Sequence, residues 1–460
     1  MFRIDAGPAP QKYCDGFSRR SFLQIGVAGM AAAGLPRILQ AKEESAEGTV
    51  GKDTAVILLW LDGGPSHMDL YDLKPEAPAE YRGIWSPIKT NVPGIEISEL
   101  FPLQAKVADK FSVVRSLHHD TGDHFTGGHW MLTGRGAGVS GASNAGKYPF
   151  FGSIATKMTG PRQQGLPANI AVPYAMSIGL RPGYFGGNYL GVQYNPFETE
   201  GDPNSDNFKV NNVNLLNSLT VARLEDRRYL LAQMDRLRRD VDCRGTLDAM
   251  NKFERQAYEM VVGEKAREAF DLSKEDPKIR EMYGRTLWGQ STLLARRLVE
   301  AGTTFVTCHF GGWDHHWDLK AGMDRYLPQI DQLVSGLFTD LSQRGLSEKV
   351  CVVLCGEFSR TPRMNDGGNG GAPGSMGTPG RDHWGNSMFC LLGGGGIKGG
   401  RIIGSTNRLG DAPQDQPLRP GDIHHTLYRV LGVNPNEHFL DHAGRPVPAI
   451  DHGSVIEELF

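Results

Sequence analysis

The segment GGWDHHWD, residues 311–318, sets Asp314, His315, His316 and Asp318 directly behind two glycines. Asp62 in LLWLDGG and Glu357 in VLCGEF likewise stand at the ends of apolar runs, and GRDHWG holds Asp382 next to His383. Any one of these acids alone reads as a turn former or a helix cap. Brought together they repel and raise one another's pKa unless a cation lies between them. A divalent ion is the direct remedy, and neighbouring imidazoles supply its softer donors. The predicted metal set is therefore Asp62, Asp314, His315, His316, Glu357, Asp382 and His383, for a divalent ion left open among Zn, Ca, Mn and Mg.

A second constellation is SLHHDTGDHFTGGHWMLTGR, residues 116–135, where His118, His119, His124 and His129 stand among Thr121, Asp123 and Thr126. Four histidines in one stretch predict a pocket wall. Arg115 and Arg135 flank it, suited to clamp an oxyanion. The catalytic expectation is His124 as ligand or general base, Thr126 or Thr121 as nucleophile, and Arg115 as clamp. His424, His425, His438, His442 and His452 lack acidic strand ends beside them and read as structural.

These side chains need a frame that gathers distant strand ends. AVILLWLDGG (55–64), FSVVRSL (111–117), ANIAVPYAM (168–176), TTFVTCHF (303–310), KVCVVLCGEF (349–358) and SMFCLLGGGG (387–396) read as strands. Their continuous apolar character suits a parallel sheet covered on both faces. TLLARRLVEAG ends a helix at Gly302 before a strand, half of a βαβ unit, and IDQLVSGLFTDLSQRG precedes the strand at 349 in the same way. Helical spacing also runs through LTVARLEDRRYLLAQMDRLRRDV and TLDAMNKFERQAYEMVVG. GDIHHTLYRVLG is a short helix with Asp422 expected as N-cap. The fold class is α/β, a doubly wound, mostly parallel sheet flanked by helices over residues 54–460, with a helical insertion at about 205–300. In such sheets ligands gather at the carboxyl ends of the strands.

At 460 residues the chain can bury a large core, and its net charge of −3 gives no sign of nucleic-acid binding. SRRSFLQIGVAGMAAAGLP pairs Arg19 and Arg20 with a short Gly/Ala-rich run, the pattern of a bacterial twin-arginine export signal. Residues 1–41 are read as that signal and 42–53, KEESAEGTVGKD, as a linker. Export by the twin-arginine machinery implies a periplasmic or secreted protein, with an uncleaved membrane anchor left open. Cys308, Cys351, Cys355 and Cys390 lie in apolar strands and read as small buried hydrophobes. No G-x-G-x-x-G follows the first strand, which argues against a Rossmann-type oxidoreductase.

In order, Asp-Gly-Gly at the first strand, the His/Thr stretch ending in LTGR, ARRLVEAG, GGWD, GEFSRTP and GRDHWG resemble the exported bacterial family catalogued as domain of unknown function 1501, over about 55–450. That family is similar to the alkaline phosphatase and sulfatase superfamily. The resemblance implies a bimetal centre assisting phosphoryl or sulfuryl transfer to or from a small-molecule or glycan ester. Asp62 matches its first-strand metal aspartate, Asp314 with His315 or His316 an aspartate–histidine pair, and His383 a late histidine ligand. Glu357 matches the aspartate of an Asp-His dipeptide, but Phe358 follows it in place of the histidine. The nucleophile position falls on His124, and the Cys/Ser-x-Pro-Ser-Arg signature for formylglycine is absent. Two functions follow as expectations: a metal-dependent ester hydrolase without formylglycine, or a non-catalytic binding or scaffold protein on the same fold.

Overall fold

The computed structural model describes residues 53–136, 147–210, 263–366 and 378–460. The signal at 1–41, nearly all of the linker, the helical patterns at 219–262 and most of the glycine-rich stretch before Thr378 lie outside the described residues.

The central strand β1, Ala55–Asp62, is buried at all eight positions. Alternate side chains leave a strand on opposite faces, and here both faces are covered. Ala55, Ile57, Leu59 and Leu61 enter one core cluster, and Val56, Leu58 and Trp60 enter the other. Among the described residues seven more strands join it in one sheet: β2 (Ser112–Leu117), β3 (Asn169–Val172), β4 (Phe197–Glu198), β5 (Phe305–Gly311), β6 (Val350–Cys355), β7 (Met388–Gly393) and β8 (Ile402–Ile403). Their order is β8-β2-β7-β6-β1-β5-β3-β4. All neighbouring pairs are parallel except those of β7, which runs antiparallel to both β2 and β6. The sheet is mostly parallel, as the apolar runs predict.

Among the described residues eight helices accompany it: α1 (His67–Leu70), α2 (His124–Thr133), α3 (Phe151–Thr159), α4 (Glu264–Phe270), α5 (Pro277–Tyr283), α6 (Leu287–Ala301), α7 (Leu319–Gln343) and α8 (Pro420–Leu431). α6 and α7 cover the face of Leu59 through Leu294, Leu298, Val334 and Leu337. α2, α3 and α8 cover the face of Trp60 through Leu132, Ile154, Leu427 and Leu431. Thr286 caps α6 by accepting from Gly289 N–H at 3.1 Å, and Gly302 ends it at a φ of 118°. α6 is thus a covering helix of the sheet, although the insertion was expected to extend to about 300.

The N-cap of α8 is Arg419, and Asp422 sits three residues on, its carboxylate accepting from Arg419 N–H at 2.7 Å. That reach back to the cap backbone is half of a capping box, so Asp422 serves the helix start from the third helical position and not from the N-cap. Among the described residues no helix is long and apolar enough to cross a membrane.

Candidate metal centre

β1, β5 and β6 are adjacent and parallel, so their carboxyl ends share one edge. Asp62 is the last residue of β1, Asp314 stands three residues past β5, and Glu357 two past β6. The three turns are knitted together. Gly63 N–H donates to both carboxylate oxygens of Glu357 at 2.9 and 3.1 Å, and Trp313 N–H to the carbonyl of Asp62 at 3.2 Å. Gly63 has a φ of 119°, and a Cβ there would fall 2.6 Å from Asp314 N. Only glycine admits that approach.

Arg360 binds these turns from below. Its guanidinium is fully buried and donates to the carbonyls of Gly63, Gly64 and Arg381 and, at 2.5 Å, to Asp314 Oδ1. Ser359–Arg360 pairs antiparallel with His383–Trp384, setting His383 opposite Arg360. Arg381, also fully buried, ties the turn before Asp382 to Asp69 of α1 at 2.9 Å.

Three imidazoles converge on Asp314, and in each the Nδ1 faces an acceptor. His124 Nδ1 lies 2.7 Å from Glu357 Oε1, His316 Nδ1 2.7 Å from Asp382 Oδ1, and His383 Nδ1 2.6 Å from the carbonyl of Gly122. These partners assign the proton to Nδ1, which leaves Nε2 of a neutral ring as a bare lone pair. The Nε2 atoms of His124, His316 and His383 lie 3.3, 3.1 and 3.1 Å from Asp314 oxygens. Those of His316 and His383 lie 2.9 Å from each other. His124 Nε2 is buried and lacks an aligned hydrogen bond. Lone pairs aimed at a carboxylate and at one another require shared protons or a cation.

One donor atom each from His124, Asp314 and His383 lie within 4.8 Å of one another, a group able to hold an ion. The donor set fits one: two or three imidazole nitrogens and a carboxylate oxygen, with Glu357, Asp382 and Gly122 orienting the rings from behind. Without an ion the rings and the carboxylate share protons instead. Burial would raise the Asp314 carboxyl, but the His124, His316 and His383 rings beside it and the Arg360 charge hold it far below the usual range. Burial opposes charge on His124, yet Asp314 and Glu357 outweigh it and push the imidazole up to about 9. Glu357, wholly buried, is raised by burial, with His124 opposing.

The other predicted residues stand elsewhere. The Asp62 carboxylate, 2% exposed, accepts from Ser177 Oγ at 2.8 Å and Ile178 N–H at 2.7 Å, and pairs with His309 Nε2 at 3.0 Å. His315 turns away from the cluster to lie against Gly322 of α7 and Tyr326. Burial lowers its imidazole to about 4. Thr126 Oγ donates to Asp123 Oδ1 at 2.7 Å at the start of α2. Arg115 donates to the carbonyl of Glu96 and lies 3.9 Å from Asp72. Of the histidine-rich stretch only His124 reaches Asp314. His119 bonds the carbonyl of Glu357 at 2.6 Å and His129 that of Arg135 at 2.6 Å. Two residues of this edge went unpredicted, His309 and Arg360. The signal available was the one histidine in the strand TTFVTCHF and an arginine in the turn GEFSRTP.

No curated protein matches the chain in sequence. Among solved structures it is similar to the lipoteichoic acid synthase LtaP from Listeria monocytogenes, with 9% identity, 84% of this chain and 74% of that one covered, and a TM-score of 0.37. It is similar to the PsFucS1 sulfatase from Pseudoalteromonas sp., with 14% identity, coverage of 86% and 70%, and a TM-score of 0.37. It is also similar to the alkaline phosphatase of the Antarctic bacterium TAB5, with 9% identity, coverage of 83% and 98%, and a TM-score of 0.37. The family model described as "Protein of unknown function (DUF1501)" matches residues 53–460, and the chain belongs to that family.

Proposed function

We propose that the chain is an exported, metal-dependent hydrolase of phosphate or sulfate esters that works without formylglycine. The observation that carries this reading is the convergence of three Nε2 atoms on Asp314, each ring held from behind by an acceptor at Nδ1. His124, Asp314 and His383, with His316 beside them, would hold the ion, and an imidazole-rich set favours zinc over calcium or magnesium. A bound divalent ion would supply Lewis-acid polarisation to an ester oxygen. The chain's own residues do the rest. Asp382, Glu357 and Gly122 fix the ring tautomers, Arg360 holds Asp314 in place, and the buried ring of Phe358, 4.9 Å from His124 and 4.6 Å from His383, keeps water from that side. Export rests on Arg19 and Arg20 and the Gly/Ala-rich run behind them.

Two observations favour a second reading, a binding or scaffold protein on the same fold. Phe358 stands where the resemblance calls for a histidine, and Asp62 and Glu357 are already bonded within the protein. Metal analysis of purified protein with aryl phosphate and aryl sulfate assays separates the two. Hydrolysis that needs the metal and falls with His383→Ala supports the hydrolase. Metal-loaded protein that turns over neither ester supports the second reading.

A further inference from the structure

The strands flanking the metal centre carry a pair of thiols that its chemistry does not use. β6 and β7 are antiparallel, with Leu391 opposite Leu354 and Leu392 opposite Val353. One step further in that register sets Cys390 opposite Cys355. The faces agree: Leu354 and Leu391 lie in one core cluster, and Val353, Cys355, Cys390 and Leu392 in the other. Opposed residues of an antiparallel pair have Cα atoms about 4.5–5.5 Å apart, inside the ~4.4–6.8 Å that a disulfide spans.

The other described cysteines lack this geometry. Cys351 is on the same strand and face, but a Cβ built on Gly395 would meet its Cβ at 2.9 Å, so a glycine and not a thiol faces it. Cys308 is on β5, separated from β6 by β1. All four are free and buried.

We propose that Cys355 and Cys390 are a disulfide-forming site, a cross-strand bridge between β6, which leads to Glu357, and β7, which follows His383. The co-reactant is a small-molecule disulfide of the oxidised-glutathione class. One cysteine thiolate attacks its S–S bond and releases one small thiol. The second cysteine then displaces the other small thiol from the mixed disulfide. The protein loses two protons and two electrons, and the small disulfide gains them. Cys355 is 3% exposed and Cys390 fully buried, and burial first and then the Cys355 sulfur raise the Cys390 thiol. The folded chain therefore resists exchange. The bridge forms while the strands are still open, before β6 and β7 pair and bury both sulfurs.

The test refolds the reduced, denatured full chain in a glutathione redox buffer, alkylates free thiols in acid and maps the peptides by mass spectrometry. A parallel arm sends the chain unfolded into an oxidising bacterial compartment, so a failure to refold does not leave the question open. The expected result is one bridge, Cys355–Cys390, retained in Cys351→Ser and lost in Cys355→Ser, with a Tm a few degrees above the reduced form. Folded reduced protein held in the same buffer should form no bridge, so that both thiols are alkylated once it is denatured. Both thiols alkylated in both arms, or a bridge joining any other pair, would overturn the proposal.

Discussion

His316 and His383 present Nε2 to Nε2 at 2.9 Å, with Asp314 Oδ1 3.1 Å from each. At most one proton fits between the two nitrogens. With both Nδ1 atoms held by acceptors, a cation in front of Asp314 would relieve the contact and leave both of those bonds in place. Asp382, behind His316, is then a positioning group. In Asp382→Asn the amide can still accept from Nδ1 but lacks the carboxylate's charge, and metal affinity should fall about 10- to 100-fold. Competition with a chelating dye reads the dissociation constant. Unchanged affinity would remove Asp382 from the centre.

Gly63→Ala places a methyl group 2.6 Å from Asp314 N, against backbone on the opposing turn. Neither turn can yield without breaking the bonds from Gly63 N–H to Glu357. The variant should lose about 2 kcal/mol or more of stability together with metal binding. Urea unfolding and metal titration of the same sample check both.

Arg360→Met removes a buried charge whose donors serve three carbonyls and Asp314. Each buried carbonyl left without its donor costs about 1–3 kcal/mol, and a lower Tm is expected even without metal. A Tm within a degree of the parent would show that Arg360 does not hold these turns.

His424 is buried, bonds the carbonyl of Met131 at 2.7 Å, and has its imidazole lowered by burial from 6.5 to about 4. A depressed folded pKa means its contribution is present above pH 6.5 and lost as pH falls through about 4. That interval corresponds to about 3 kcal/mol. Denaturant midpoints should decline between pH 6.5 and 4, less steeply in His424→Gln. Equal slopes would contradict the assignment.

The sheet was legible because strands covered on both faces leave unbroken apolar runs, and β1 is the clearest case. Asp62, Asp314 and Glu357 were legible as one edge because parallel strands end together. Which of His315 and His316 enters the centre was not, since the turn after Gly312 decides it: His315 and His316 each bond back two residues, to Trp313 and Asp314, and only the second ring faces Asp382. Arg115 misled for a related reason. A charged residue near a histidine cluster in sequence points wherever its strand face points, here to Glu96 and Asp72. Arg360 escaped notice because its role exists only after three distant turns meet around it.

Anomalous diffraction from zinc-soaked crystals, recorded on both sides of the zinc absorption edge, tests the central claim most directly. One strong peak enclosed by His124, His316, His383 and Asp314, absent in His383→Ala crystals, is the predicted result. No peak there, or a peak at Asp62 and His309 alone, would contradict it.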